Sequence, residues 1–211
     1  MYTLGKKLNR DFFLRDAVTV ARELLGMHIV HETDGTLLVG EITETEAYNG
    51  LNDKACHSYG GRITPRTKVF YQLGGHGYVY FIYGKHHMFN VVTGDKKDPS
   101  GVLVRTCSVV EGREEIAMRR FGKGYETLNN ARKKQLLNGP GNICQGLGID
   151  RSHNSCNLLG KSLFLAKPWE KSEFDIAAGK RVNIDFAEED ADLPYRFTIV
   201  KPSPVPGVGR T

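Results

Sequence analysis

The chain has 211 residues, 40% of them apolar and 25% charged, values ordinary for one soluble globular domain with a sizeable core. Its formal net charge is +5 and its pI about 9.0, close to an electrostatic footprint for nucleic acid yet equally ordinary for a basic soluble protein. No apolar run approaches the roughly 20 residues of a membrane span, and the N-terminus lacks the apolar core of a signal peptide; a cytoplasmic protein is the expectation.

Taken in order, the pattern predicts a helix over residues 16–25. Asp16 is its cap, Ala17, Val20, Ala21, Leu24 and Leu25 form an apolar stripe, and Gly26 follows as its stop. Residues 28–31 read as a short strand, Asp34-Gly35 as a hairpin turn and residues 37–48 as the return strand. Alternation puts Leu38, Ile42, Glu44, Glu46 and Tyr48 on one face. That face starts apolar and ends acidic, as when a strand leaves the core for a site. Residues 49–72 are rich in Gly, Pro, Asn, Asp and Ser and read as a long loop with at most one short helix. Long loops inside compact domains are usually functional.

Residues 78–83 and 88–93 form a second hairpin around Gly84-Lys85. A β-branched strand over 102–110 and a helix over 111–121 follow. Gly139-Pro140-Gly141 breaks the chain before a short helix over 142–147, and residues 158–166 and 195–200 are late strands. The proline-rich stretch 202–211 cannot be regular structure. Strands outnumber helices and most joins are short. The expected fold is α+β, a single compact domain over 1–211 built on an antiparallel sheet with flanking helices.

The densest chemistry lies between Gly40 and Asn90. Glu41, Glu44 and Glu46 stand on a strand although glutamate is depleted in strands. A solvated strand face is the ordinary explanation; the functional one is a carboxylate at the strand's end that deprotonates water, with Glu46 the candidate beside Tyr48 and the loop. His57 alone reads as a hydrogen-bonded loop residue. His57, His76, His86 and His87 lie near Glu46 but show no zinc spacing, so a metal-dependent hydrolase is an alternative reading and no cofactor is expected. Tyr78 and Tyr80 alternate onto one strand face, while Tyr83 falls on the other, beside the turn and pointing away from Tyr80. Arg62, Arg66, Lys68, Lys85, Lys96, Lys97 and Arg105 interleave with these aromatics, which suits phosphate contact and base stacking. A nucleic-acid-binding module without chemistry is the other alternative. Cys56, Cys107, Cys144 and Cys156 form no C-x-x-C pair and read as buried thiols.

With those residues in view, the sequence resembles the alkyladenine (3-methyladenine) DNA glycosylase family. The matching motifs are Glu44-Thr45-Glu46-Ala47-Tyr48, His57-Ser58 with Gly60-Gly61-Arg62 and Thr64-Pro65-Arg66, Tyr78-Val79-Tyr80 with Tyr83-Gly84, Asn90, Val102-Leu103-Val104-Arg105, and Gly139-Pro140-Gly141 with Cys144-Gln145. The resemblance implies a curved antiparallel sheet with a protruding β-hairpin. It implies hydrolysis of the N-glycosidic bond of damaged purines in duplex DNA by a monomer, located in the cytoplasm and at the nucleoid. Glu46 matches the catalytic base, and Arg105 a residue beside the attacking water and the flipped nucleotide's phosphate. Tyr48, His57 and Tyr80 match pocket walls, and Asn90 a pocket residue that discriminates against guanine's exocyclic amine. Tyr83 matches the intercalating position. Arg62, Arg66 and Lys85 are the expected DNA-backbone contacts. No lysine stands at a matched nucleophile position, so no Schiff base is expected.

Overall fold

The computed structural model describes residues 3–170 and 173–200; the expectation for 202–211 lies outside them. Two short helices, α1 (Arg10–Phe13) and α2 (Ala17–Glu23), precede β1 (His28–Thr33) and β2 (Thr36–Tyr48). A long segment with three short 3₁₀ turns leads to β3 (Gly77–Ile82) and β4 (His86–Thr93). Then come β5 (Ser100–Glu111), α3 (Arg113–Phe121), α4 (Asn130–Lys134) and α5 (Pro140–Leu147). The last elements are β6 (Leu163–Ala166), β7 (Asp175–Gly179) and β8 (Arg196–Val200).

Local chemistry accounts for these boundaries. Asp16 caps α2 by accepting from the Thr19 amide at 2.8 Å, and α5 opens with Pro140 and stops at Gly148, whose φ is +69°. Asp34 and Gly35 both take positive φ, which gives the β1–β2 turn the twist its strands require. The late strand expected over 158–166 is shorter, because residues 158–162 turn instead of pairing. β7 had no sequence signal: Asp-Ile-Ala-Ala-Gly has weak strand propensity, and it is extended because β8 pairs with it.

The eight strands form one curled antiparallel sheet, ordered β3-β4-β5-β2-β1-β6, with β8 bridging β2 and β7. β2 lies between β5 on one edge and β1 followed by β8 on the other. Its concave, helix-covered side carries the main core: Val20, Leu24, Ile29, Ile42, Phe89, Ile143 and Leu147 pack in one cluster with α2 and α5. Each such side chain, once buried, stabilises the fold by about 1.5–3 kcal/mol. Among the described residues no helix is long and apolar enough to cross a membrane.

Two bulges decide where the site forms. Ile42 pairs with Cys107, but Glu44 pairs with Thr106, which leaves Thr43 as an extra residue on β2; Arg105 is the matching extra residue on β5. Ile42 and Ala47 both belong to the core cluster although five residues separate them, and Thr45 donates to Ala21 O of α2 at 2.8 Å. Unbroken alternation would put them on opposite faces. The single face expected for Leu38, Ile42, Glu44, Glu46 and Tyr48 is therefore corrected. Leu38 and Ile42 face the core, and the bulge at Thr43 swings Glu44, Glu46 and Tyr48 to the other side.

The segment after β7 is fastened to the start of the long loop by a buried ion pair. Arg181 and Asp53 are side chains of 0% and 2% exposure. Arg181 Nη2 donates to Asp53 Oδ1 at 2.8 Å and Nη1 to Ala47 O at 2.9 Å, while the amides of Asn49 and Ala55 fill the Asp53 oxygens. Removing one partner would leave the other charged and buried. Asp53→Ala is expected to cost about 3–5 kcal/mol of stability in urea unfolding. A loss below about 1 kcal/mol would show that the pair does not fasten the segment.

Candidate active site

Between the β3–β4 hairpin, the pocket ends of β2 and β5, and residues 182–186 lies a cavity of about 320 Å³. That is the small end of the range for ligand pockets, roughly 300–1,000 Å³. A larger depression of about 690 Å³ at the far end of β5 holds Arg113, Lys133 and Lys134. It lacks the convergence of acid and aromatics seen in the smaller one.

Glu46 forms the floor. It is fully buried, yet its carboxylate borders the open cavity. Oε2 accepts from Tyr48 Oη at 2.9 Å and from Arg105 Nη1 at 3.2 Å, and Oε1 accepts from the Val182 amide at 2.7 Å. A carboxylate offers about four acceptor sites; three are filled, which leaves one, on Oε1. Arg105 also donates to Glu44 at 2.9 Å, so its guanidinium joins the two acids that the β2 bulge aims the same way. Burial, and then the charge of Glu46, raise the Tyr48 phenol well above its usual range and keep it a donor.

The second wall is aromatic. His57 and Tyr80 border the cavity with ring centroids 4.9 Å apart, nearly perpendicular. Tyr78 stands behind them, buried among Val69, Phe70 and Val92. Arg66 comes from the turn before it, with Nε donating to Tyr78 Oη at 3.0 Å and Nη2 to His57 Nε2 at 3.2 Å. A guanidinium only donates, so His57 Nε2 is an acceptor and the ring proton sits on Nδ1, 2.9 Å from Tyr78 Oη. Burial, and then the charge of Arg66, push His57 down to about 4, so it is neutral at pH 7. Arg66, the expected DNA-backbone contact, is exposed, with its head held by two hydrogen bonds and the Tyr80 ring.

Asn90 is buried in the wall and donates to Tyr78 O at 3.2 Å. Tyr83 occupies the hairpin tip at 79% exposure, the highest of the large apolar side chains. Tyr83 and Gly84 both have positive φ, 55° and 68°, and Lys85 N reaches back to Ile82 O at 3.3 Å. Left-handed φ is strained for a tyrosine, and such strain concentrates at functional sites. The expectation that Tyr83 points away from Tyr80 is corrected: inside the turn alternation no longer applies, and both rings border the same cavity. Arg62 and Lys85 are exposed, Lys85 beside Tyr83 in the hairpin turn. Among the described residues no three His, Cys, Asp or Glu converge to hold a metal ion, and His76 bonds to Leu73 O.

Sequence reasoning missed apolar lining such as Phe70, Met88, Leu103 and Pro140, and it missed the 181–187 segment altogether. Val182 contributes a backbone amide, which no residue type advertises. Arg181 contributes a cation that looked like any other, and Phe186 a 70%-exposed ring at the cavity's lip. Its neighbour Ala187 is buried with Ala55 and Ile184, which fixes the lip against the loop.

A curled sheet, an aromatic cavity sized for one base, a buried carboxylate in its wall and an exposed aromatic on a neighbouring hairpin together define a DNA glycosylase. The model of the methylpurine-DNA glycosylase family matches residues 11–203, and the chain belongs to that family. It is 47% identical to a Desulfitobacterium hafniense protein named "Putative 3-methyladenine DNA glycosylase", over 91% of this chain and 94% of that one. Proteins of the same name from Clostridium acetobutylicum and Clostridioides difficile are 46% and 39% identical, over 92% and 91% of this chain and 94% and 100% of theirs. The chain is accordingly a monofunctional DNA N-glycosylase, a hydrolase of N-glycosyl bonds.

Tyr48→Phe keeps the ring and removes only the donor to a buried acid. It is expected to lower stability in urea by about 1–3 kcal/mol, the cost of a buried group left short of a partner. An unchanged midpoint would mean that the phenol does not hold Glu46.

Proposed function

We propose that this protein extrudes a damaged purine from duplex DNA into the cavity and hydrolyses its glycosidic bond with a water activated by Glu46. The observation that carries this reading is the Glu46 carboxylate, kept out of bulk water, held by three donors and left with one acceptor site at the cavity. As the purine departs, the sugar gains oxocarbenium character. A carboxylate in a water-poor site stabilises that charge and takes the proton of the attacking water. Tyr48, Arg105 and the Val182 amide fix its orientation. No lysine is among the residues lining the cavity, which favours water as nucleophile over an amine.

The target base sits between Tyr48, His57 and Tyr80, with Asn90 in the wall rejecting the exocyclic amine of normal guanine. Candidate bases are methylated purines such as 3-methyladenine and 7-methylguanine, and deaminated adenine, hypoxanthine. Tyr83 fills the gap left in the stack, since a hairpin-tip aromatic entering the minor groove stabilises an extruded state. Arg62 and Lys85 meet backbone phosphates near the mouth. The protein acts as a monomer on DNA, in the cytoplasm and at the nucleoid. A non-catalytic binding module is a poorer reading, because a buried carboxylate beside the path of DNA weakens binding unless it has chemistry to do.

The test is incubation of duplexes carrying one hypoxanthine or one 7-methylguanine, followed by alkali to reveal abasic sites. Glu46→Gln is expected to slow single-turnover release by about 10²–10⁴ while binding to the damaged duplex persists. Release by that variant within tenfold of the parent would remove Glu46 as the base. A second experiment separates extrusion from bond breaking. Tyr83→Asn keeps the turn, since asparagine tolerates positive φ, and removes the ring. Excision of a well-paired lesion should fall about 10–100-fold, the worth of one lost base–aromatic stack, and fall less opposite a mismatch. Equal losses in the two duplexes would show that Tyr83 is not the wedge.

A further inference from the structure

The cavity's aromatic walls are each backed by an arginine that does not line the cavity. Arg181 lies 4.9 Å from the centroid of the Tyr48 ring, and Arg66 lies 4.6 Å from that of Tyr80. The two cations differ in one respect. Arg181 is neutralised by Asp53 at buried contact. Arg66 makes no ion pair with any acid among the described residues; its contacts are Tyr78, His57 and the Tyr80 ring. A positive charge without an acid partner, exposed on its outer side, therefore stands against the one wall ring that also touches His57.

From this arrangement we infer that Arg66 sets the charge class of base that the cavity accepts, favouring neutral damaged purines over cationic ones. The inference rests on the glycosylase reading above. An aromatic face attracts a cation through its quadrupole, and a guanidinium already on the ring uses that attraction and repels a second cation arriving from the cavity side. N7- or N3-alkylated purine nucleotides carry formal positive charge; hypoxanthine is neutral. Arg66 acts on His57 in the same sense. Burial first keeps the imidazole neutral; Arg66 adds its charge to that and, by donating to Nε2, fixes the proton on Nδ1, turned toward Tyr78. The groups facing His57 are Arg66, Tyr78 and Tyr80, with Cys56 before it in the chain and Glu46 and Tyr48 across the cavity. Arg66 is thus a specificity-determining residue that acts through Tyr80 and His57.

The experiment compares Arg66→Gln, which removes the charge, with Arg66→Lys, which keeps it. In single-turnover excision, the 7-methylguanine to hypoxanthine rate ratio should rise about tenfold in Arg66→Gln, the size of one desolvated cation–π contact. In Arg66→Lys it should stay within about threefold of the parent. An unchanged ratio in Arg66→Gln, or equal shifts in both variants, would overturn the inference, since equal shifts report lost packing and not lost charge. A nuclear magnetic resonance titration of His57 supplies a readout that needs no substrate. In the parent His57 should remain neutral down to a pH near 4, and in Arg66→Gln its midpoint should move up toward the ordinary 6.5. A parent His57 that titrates near 6.5 would overturn the role of Arg66 even if no variant folds. A parent enzyme that releases neither base would instead sink the glycosylase reading and leave the titration to decide the Arg66–His57 coupling.

Discussion

The rest of the structure depends on keeping the carboxylate of Glu46 fully out of water and still satisfied. An acid removed from water without partners costs several kcal/mol, so donors must converge on it from its own strand and from beyond it. Tyr48 is two residues along β2, Arg105 comes from β5 and Val182 from the far end of the chain. The bulges at Thr43 and Arg105 are the backbone solution to this demand. One turns the acids off the core face, and the other gives Arg105 the slack to meet both. Without them the apolar-to-acidic strand would drive Glu46 into the cluster that α2 covers.

The remaining supports follow from that placement. Val182 can present its amide only if the chain around it is fixed, and the buried Arg181–Asp53 pair beside it does the fixing. Asp53 in turn gathers the amides of Asn49 and Ala55, so the start of the long loop and the 181–187 segment form one rigid lip. On the opposite wall, Arg66, His57 and Tyr78 make a hydrogen-bonded frame behind Tyr80. Both walls are thus held from outside the cavity, which leaves the cavity itself open and its aromatic faces free. The hairpin tip is exposed and strained, with Tyr83 in a backbone conformation it does not prefer.

Charge at the cavity's lip is largely paired. Residues 185–192 are rich in acid beside the cavity, but Lys54 pairs with Glu188 and Glu189, and Lys180 with Asp192. Such exposed pairs add little stability; their effect is to mute a local negative field that would repel phosphates. The exposed cations Arg62 and Lys85 stand on the hairpin side. An excess of five positive charges over the chain attracts nucleic acid broadly, while the muted lip lets the duplex approach the mouth.

The amino-acid sequence by itself determined what depends on neighbours within a few residues. The caps and stripe of α2, the Asp34-Gly35 turn, a second turn at Gly84-Lys85 that the structure starts one residue earlier at Tyr83, the strand ending in Glu46 and Tyr48, and the crowding of acids, aromatics and cations between Gly40 and Asn90 are all local signals. Tertiary structure alone decided which way those side chains point. Period-two alternation cannot register a bulge, because the extra residue at Thr43 exists only relative to β5. The extended form of β7 exists only relative to β8. The amide of Val182 is identical in type to every other amide and becomes a donor to Glu46 by position. Arg66 and Arg181 read as two cations among many, and only their partners, a phenol oxygen and an imidazole nitrogen for one and a buried acid for the other, separate them from the rest. Strand, turn and cap are encoded by short-range sterics and hydrogen bonding; the facing of a charge is set by whichever distant group must satisfy it when water is excluded.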